Sequence, residues 1–194
     1  MGNLKNKNAF VDRFSSHLDT FGQAKVLDVG CGLGDSAIRL AQSGHIVMGI
    51  SNDHGDIASA KRRARRSGLI GCTFEAIDAR EIDVAFEKGL FNAVLISDML
   101  HLLEKEDSQK VLGSAKALTS ARGINGIWGY LVDPTQSQSA QNIGRMLSPN
   151  ELHRAYSDNG NWTIEEYAEE PFRAAIFDGK ELVSSHAGII AKKV

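Results

Sequence analysis

The segment 26–35, with the sequence VLDVGCGLGD, constrains the fold of this chain more than any other. Its apolar run predicts a β-strand, and the three alternating glycines that follow predict a sharp turn onto a helix. Glycine adopts backbone conformations that other residues avoid, and it lets a ligand approach the main chain without meeting a Cβ atom. The next helix offers unpaired N–H groups at its start. The segment therefore predicts a nucleotide-type site at this turn.

The glycine spacing differs from that of dinucleotide-binding proteins. Their pattern is G-x-G-x-x-G, whereas here Asp35 stands at the position of the third glycine and Gly34 comes one residue early. The segment resembles motif I of the class I S-adenosylmethionine (SAM) dependent methyltransferases. This resemblance implies that SAM is the cofactor and that Asp28 lies near its methionine end. It also implies that four turn residues pack against SAM: Gly30, Cys31, Gly32 and Gly34.

The composition is that of an ordinary globular protein. A length of 194 residues, 42% of them hydrophobic, favours one domain over 1–194. The net charge of -2 gives no electrostatic reason to expect nucleic acid or a membrane as the main partner, which favours a small-molecule partner. The polar N-terminus is unlike a secretory signal and no apolar run could span a membrane, so we expect a cytoplasmic location. The oligomeric state stays open.

Apolar runs alternate with helical or polar stretches along the chain. The runs are continuous, which is typical of strands in a parallel sheet that is covered on both faces. We therefore expect an α/β fold with a doubly wound, Rossmann-like sheet. The family resemblance adds the expectation of seven strands, mostly parallel, with an antiparallel strand near the C-terminus. The predicted strands are Lys25–Val29, His45–Ile50, Thr73–Ile77, Phe91–Ile96, Gly126–Val132, Trp162–Tyr167 and Val183–Ala191.

Other segments have helical or loop patterns. Apolar residues at helical spacing within 1–22 predict an amphipathic helix packed on the domain. Asp35–Ser43 predicts a helix that ends before a glycine, and Ser148 with Pro149 predicts the start of another. Residues 134–147 begin with a polar stretch. We interpret this segment either as a lid over the sheet edge where ligands bind or as a plain surface loop.

Two further segments resemble cofactor-binding parts of the same family. After the second strand the family usually has an acid that binds the ribose hydroxyls of SAM, and here Ser51 stands in that place. The resemblance implies that hydroxyl and backbone contacts at Ser51 replace this acid, or else that Asn52 or Asp53 supplies the contact. After the third strand it assigns the adenine amine to Asp78, beside the backbone N–H of Ala79. Taken alone, an aspartate in that position is more typical of a helix N-cap.

Residues 89–103 resemble the fourth strand of the family and the turn after it. The resemblance implies that Ser97 and Asp98 lie beside the sulfonium and the methionine portion of SAM, and that His101 faces the acceptor. His101 and Asp98 are therefore the candidate catalytic residues, able to accept a proton from a hydroxyl acceptor. A histidine in an apolar segment is also typical of a hydrogen-bonded interior residue. A base is optional, because methyl transfer from a sulfonium mainly needs alignment and exclusion of water.

Some features point to other classes of protein. The basic run 61–66, KRRARR, would attract nucleic-acid phosphates, but its alanine spacing favours a helix with solvent-exposed charges. A nucleic-acid methyltransferase is thus the weaker alternative. The missing acid at Ser51 keeps open a SAM- or nucleotide-binding protein without turnover, and the glycine spacing argues against an NAD-dependent oxidoreductase. We predict no metal site, although Asp98 and Asp133 have positions that a magnesium-assisted site could use.

The C-terminal part of the chain, 145–194, resembles the tail of the tellurite-resistance methyltransferases. The shared features are a helix that starts with Glu-Leu, a tryptophan-bearing strand, an acidic segment, a polar hairpin and an alanine-rich basic terminus. The chain departs from that family's Pro-Gly-Gly turn before the fifth strand, where residues 121–126 are ARGING. We therefore expect methyl transfer from SAM to a small-molecule acceptor. A thiol, an amine, a hydroxyl and a metalloid oxyanion all remain open as the accepting group.

Overall fold

The computed structural model describes residues 6–131, 147–157, 160–171, 175–177, 180–182 and 185–194. Its strands are β1 (Lys25–Val29), β2 (Ile46–Ser51), β3 (Cys72–Ala76), β4 (Phe91–Ser97), β5 (Thr119–Leu131), β6 (Trp162–Pro171), β7 (Ala175–Phe177), β8 (Lys180–Leu182) and β9 (Ser185–Lys193). Its helices are α1 (Lys7–Leu18), α2 (Asp35–Gln42), α3 (His54–Arg66), α4 (Ile82–Ala85), α5 (Lys105–Leu118) and α6 (Glu151–Ser157).

Seven strands form one sheet in the order β3-β2-β1-β4-β5-β9-β6. The pairs among β1 to β5 are parallel, and β9 runs antiparallel to both of its neighbours. β7 and β8 form a separate antiparallel pair. The structure thus confirms the predicted doubly wound α/β fold with an antiparallel strand near the C-terminus.

Helices cover the sheet on both faces. One core lies under α1, α2 and α3 and includes Phe10, Phe14 and Phe74. The other lies under α4, α5 and α6 and includes Ile82 and Tyr156. Because both faces are buried, strands such as β4, which reads FNAVLIS, are apolar at almost every position. This packing fixes the strand ends that carry the candidate site.

The sheet order reverses direction between β1 and β4. In open parallel sheets ligands bind at the carboxyl ends of the strands near such a reversal. The residues that follow β1, β2 and β4 lie at this edge, and they include the glycine turn, Asn52 and Asp98. Most of the predicted site residues are therefore brought to the same edge of the sheet.

Several boundaries differ from the sequence predictions: β2, β3 and β9 are shifted by one or two residues, β6 extends to Pro171, and two further differences have a visible backbone cause. β5 begins at Thr119 and not at Gly126, because residues 120–123 form a bulge within it: β5 advances from Thr119 to Ile124 while β4 advances only from Phe91 to Ala93. Arg122 in this bulge has a φ of 61°. α6 begins at Glu151, two residues after Pro149, since the φ of Asn150 is 58° and interrupts a helical start there.

Some predictions concern residues that the structure does not describe. The proposed lid lies outside the described residues except for Leu147, which forms an isolated bridge with Leu131. Asp133 also lies outside them. Within the described ranges, none of the helices combines the length and the apolar character that crossing a membrane requires.

Candidate active site

The glycine turn connects the end of β1 to the start of α2. Gly30, Gly32 and Gly34 have φ angles of 72°, 50° and 80°, a region that favours glycine. The N–H of Cys31 donates to the carbonyl of Ile50 at 2.8 Å, which ties the turn to β2. Burial raises the pKa of the Cys31 thiol, so this side chain is a neutral packing group at physiological pH.

A Cβ atom at each of these glycines would meet different surroundings. At Gly30 it would lie 2.7 Å from the Met99 side chain, and at Gly34 it would lie 2.8 Å from the Phe74 ring. Internal packing alone therefore requires glycine at both positions. At Gly32 the nearest atom within reach is an Asp56 carboxylate oxygen at 3.7 Å, so the space is open. An open space beside a bare main chain at a helix start fits a bound cofactor.

Arg63 of the basic run forms hydrogen bonds with this turn. Its guanidinium donates to the carbonyl of Leu33 at 2.7 Å and to the carboxylate of Asp35. The neighbouring side chains of Lys61, Arg62, Arg65 and Arg66 are exposed. Part of the basic run therefore supports the glycine turn, which the sequence pattern did not indicate.

Asp28 is the most deeply buried charged group at the site. Its side chain is on β1, two residues before the first turn glycine, and only 1% of the residue is exposed. Burial raises the pKa of the Asp28 carboxyl to about 7, although the positive charge of Lys7 opposes the shift. Neither oxygen has a hydrogen-bond partner among the described residues; the Ala37 amide lies close enough to lower the pKa without reaching hydrogen-bond geometry. Such a carboxylate needs a donor or a cation.

The loop after β2 holds the candidate ribose contacts. The hydroxyl of Ser51 accepts from the N–H of Asp53 at 3.2 Å. Asp53 in turn accepts from the N–H of Asp56 at 2.9 Å and caps α3, so its carboxylate has a structural role. Asp56, which sequence reasoning missed, places its carboxylate over the open face of Gly32. An acid in the first turn of a helix is ordinary, so no signal in the sequence distinguishes Asp56.

Asp78 and Ala79 follow β3. Asp78 accepts from the backbone N–H of Arg80 at 2.9 Å and pairs with its guanidinium at 2.9 and 2.6 Å. These hydrogen bonds hold the pKa of Asp78 at about 2, and the side chain of Asn52 contributes in the same direction. Asp78 is thus an N-cap of the short helical turn that contains the buried Ala79. The contact between Asn52 and Asp78 joins the two loops that the resemblance assigns to ribose and adenine.

Asp98 directly follows Ser97, the buried last residue of β4. Its φ is 55°, and its N–H donates to the carbonyl of Trp128 at 3.0 Å. A residue other than glycine with this backbone conformation stores strain, which occurs often at functional sites. One carboxylate oxygen, Oδ2, lies 3.4 Å from the ammonium of Lys7, whereas the buried Oδ1 has no hydrogen-bond partner among the described residues.

Three aromatic side chains, His101, Tyr130 and His186, lie close enough to Asp98 for its charge to act on the pKa of each. The ring of His101 lies edge-on to Tyr130, with 4.8 Å between centroids, and Tyr130 lies 4.5 Å from His186. His186 stacks on Trp128 at 5.0 Å. Burial lowers the pKa of His101 while the charge of Asp98 opposes the shift, so His101 is neutral near pH 7. Tyr130 and His186 were not identified from sequence, since they meet only through the antiparallel register of β5 and β9.

A metal centre is not indicated at this edge. Across the ranges that the structure describes, no group of three or more histidine, cysteine, aspartate or glutamate side chains could hold a metal ion. What the site does offer is carboxylates, a glycine turn and a neutral imidazole. This set of groups suits binding of a positively charged ligand and transfer of a proton.

Comparisons with known proteins agree with this geometry. A family model described as "Methyltransferase domain" matches residues 26–123, about half of the chain. A 23S rRNA (uracil(1939)-C(5))-methyltransferase, RlmD, of Xanthomonas campestris pv. campestris is 39% identical over 61 residues, which are 31% of this chain and 14% of that protein. The chain thus matches only a small part of such curated relatives.

Two solved structures show the same fold at low sequence identity. TehB from Haemophilus influenzae is similar with a TM-score of 0.79 and 20% identity, over 99% of this chain and 64% of that one. Magnesium protoporphyrin IX methyltransferase (ChlM) from Synechocystis PCC 6803, solved with bound SAM, gives a TM-score of 0.67 and 18% identity, over 95% of this chain and 78% of that one. The family match extends from β1 into β5 and includes the glycine turn and Asp98. This chain belongs to the methyltransferase-domain family.

Proposed function

We propose that this protein is a SAM-dependent methyltransferase that transfers the methyl group of SAM to a small-molecule acceptor. The observation that carries the proposal is the pair Asp28 and Asp98, whose buried carboxylate oxygens have no hydrogen-bond partner among the described residues. SAM carries a sulfonium and an ammonium group, which would supply Asp28 with the missing positive charge and donors, while Asp98 would remain available to the acceptor. The same carboxylates would repel the phosphates of a nucleic acid at this edge.

The site residues divide into three groups by position. Asp28, the turn glycines and Ser97 would hold the methionine portion of SAM. The hydroxyl of Ser51 and the carboxylate of Asp56 would bind the ribose, with Asn52 bridging toward Asp78. The backbone N–H of Ala79, with Asp78, would bind the adenine. Asp56 thereby replaces the acid that the family usually has at Ser51.

Each residue on the acceptor side has a separate task in the reaction. SAM supplies an activated methyl group. Asp98 would orient the accepting group, and the neutral imidazole of His101 would take up its proton. Tyr130 and His186 would exclude water from one side of the acceptor with their rings.

Replacing Gly32 by Ala tests the placement of the cofactor. The added methyl group enters the open space that we assign to SAM, so calorimetric titration should show SAM and S-adenosylhomocysteine binding about tenfold more weakly. Gly68→Ala is the matched control, because Gly68 also has a positive φ, 68°, and no atom lies within 4 Å of its added Cβ. Both variants lose about 1 kcal/mol of stability from backbone strain, but only the first should lose affinity. NAD should not bind to either variant; equal SAM affinity in the two would contradict the placement.

A nucleic-acid acceptor is the second candidate function. Two observations favour it, the local identity to the rRNA methyltransferase and the exposed side chains of Arg62, Arg65 and Arg66. We expect a single-stranded RNA oligonucleotide to show no salt-dependent binding, measured by fluorescence anisotropy from low to moderate salt. Binding that falls steeply with salt, and that disappears in a variant with these three arginines changed to Ala, would replace the small-acceptor proposal. Arg63 is kept in that variant because it braces the glycine turn.

A further inference from the structure

The Asp98 pocket, which we define as Asp98, His101, Tyr130 and His186, already holds a charged group. The ammonium of Lys7, in the first turn of α1, lies 3.4 Å from Asp98 Oδ2. We propose that the methyl acceptor is a primary alkylamine, which Asp98 binds as an ammonium ion at the position of the Lys7 ammonium. This inference rests on the proposed function and names its substrate class.

The hydrogen bonding of Asp98 is incomplete in a way that an alkylammonium would correct. Oδ1 is buried without a partner among the described residues, and the distance from Lys7 to Oδ2 exceeds the usual 2.7–3.2 Å of an N–H···O bond. An ammonium ion has three N–H donors and could serve both oxygens. Lys7 reaches the pocket from outside, with 38% of its side chain exposed, so a ligand could displace it at low cost.

The walls of the pocket also suit a cation. The ring of Tyr130 lies between the other two, with its centroid 4.8 Å from that of His101 and 4.5 Å from that of His186. The face of an aromatic ring attracts a cation, and a carboxylate beside the ring adds to that attraction. Lys7 itself shows that a slender, unbranched alkyl chain with a terminal ammonium can reach Asp98. An anionic acceptor would instead meet the negative charge of this carboxylate.

The pocket can also carry the amine through the reaction. The bound ammonium first loses a proton to Nδ1 of His101, a buried ring nitrogen that has no hydrogen-bond partner among the described residues. The resulting lone pair on nitrogen forms a bond to the methyl carbon of SAM. The carbon–sulfur bond breaks and its electron pair stays on sulfur, which leaves neutral S-adenosylhomocysteine. The methylated ammonium product and the proton on His101 are then released to solvent.

A set of three four-carbon probes tests this inference. n-Butylamine has the same chain and head group as a lysine side chain, and 1-butanol and butyrate are its neutral and anionic analogues. With SAM present, we expect methyl transfer only to n-butylamine, detected as N-methylbutylamine by mass spectrometry. n-Butylamine should bind to the complex of the protein with S-adenosylhomocysteine with a Kd of roughly 1 mM, because a ligand of about five non-hydrogen atoms can gain only a limited binding free energy.

Three variants test which side chains contact the amine. Lys7→Met keeps the chain length but removes the competing charge, so the KM for n-butylamine should fall about threefold. Asp98→Asn should raise the KM for n-butylamine about ten- to a hundredfold. This variant should still fold, because asparagine tolerates the positive φ of this position. Lys88→Met is the control, since Lys88 is exposed before β4, at the opposite edge of the sheet. Affinity for S-adenosylhomocysteine should change little in all three variants.

Three results would overturn the inference. If 1-butanol or butyrate is methylated as well as n-butylamine, the site is not specific for amines. If n-butylamine neither binds nor reacts, an alkylamine is not the acceptor. In both cases intact binding of S-adenosylhomocysteine would leave the proposed function standing. In the third result, Lys7→Met increases the affinity for SAM but leaves the affinities for S-adenosylhomocysteine and n-butylamine unchanged. Lys7 then occupies the sulfonium position, and the amine assignment is wrong. A protein that binds neither sulfur ligand would instead contradict the proposed function.

Discussion

Replacing Asp28 by Asn is expected to stabilise the protein above about pH 6 and, at the same time, to weaken its binding of SAM. The carboxyl group is almost completely buried, and burial raises its pKa to about 7. Holding a charge there costs stability whenever no ligand partners it. The same charge is what a sulfonium or ammonium group would bind. On the proposed function, Asp28 would therefore favour cofactor binding at the expense of stability.

The pH dependence of stability distinguishes this explanation from a simple packing effect. The pKa of Asp28 is raised from an ordinary 3.8 to about 7 in the folded protein. Between these values the folded state keeps a proton that the unfolded state has lost, so stability falls as pH rises. The Asn variant avoids this fall. Its free energy of unfolding relative to the parent should increase by about 1.4 kcal/mol per pH unit between about pH 5 and 6.5. Urea denaturation across this range measures it.

Asp12→Asn is the control for this measurement. The hydrogen bond from Arg39 lowers the pKa of Asp12, so its carboxyl is ionised in both the folded and unfolded states above about pH 5. The stability of this variant should differ from that of the parent by an amount that is constant over the same range. If the Asp28→Asn difference is equally constant, Asp28 is ionised throughout and its burial carries no such cost.

Titration with SAM completes the test of Asp28. Loss of a buried, charge-assisted contact should weaken SAM binding about ten- to a hundredfold near pH 8. In the parent, SAM affinity should increase as pH rises through 7, because the ionised carboxylate is the form that binds a cation. In Asp28→Asn this increase should be absent. Unchanged affinity in the variant would place Asp28 outside the cofactor contacts.

Local patterns in the sequence were sufficient to predict the parallel strands and the glycine turn, whereas the antiparallel strand was expected from the family resemblance. A strand buried on both faces must be apolar along its length, and a turn that bends onto a helix needs glycine, so both leave signals within ten residues. The bulge in β5 left a weaker signal. The strand was predicted to begin at Gly126, but it begins at Thr119, and its pairing with β4 resumes at Ile124 after the positive φ of Arg122.

The acceptor side could not be predicted in the same way, because its residues are distant in sequence. Tyr130 and His186 are neighbours through strand register, and Lys7 reaches Asp98 from a helix 91 positions earlier in the numbering. No periodicity links such residues. The role of Asp56 was missed for another reason: an acid in the first turn of a helix is ordinary, and only its position over Gly32 distinguishes it.

Replacing His101 by Phe is expected to lower the turnover of n-butylamine about 100- to 10,000-fold, the usual contribution of a general base. Phenylalanine keeps an aromatic ring against Tyr130, where the histidine ring lies edge-on at 86°, but it has no nitrogen to take up the proton. The affinity for SAM should stay within about twofold of the parent, because the ring lies on the acceptor side. Steady-state kinetics and calorimetry together separate these effects.

The control and the pH profile make the prediction for His101 specific. His153→Phe makes the same change in a histidine whose ring also contacts a tyrosine, Tyr167, at 5.2 Å, but on the exposed side of α6. Its turnover should equal that of the parent. Since burial lowers the pKa of His101, the turnover of the parent at saturating SAM should decline only below about pH 6.5, as the imidazole gains a proton. His101→Phe should lack that decline. Full turnover in this variant would make His101 a packing residue and assign the proton to solvent.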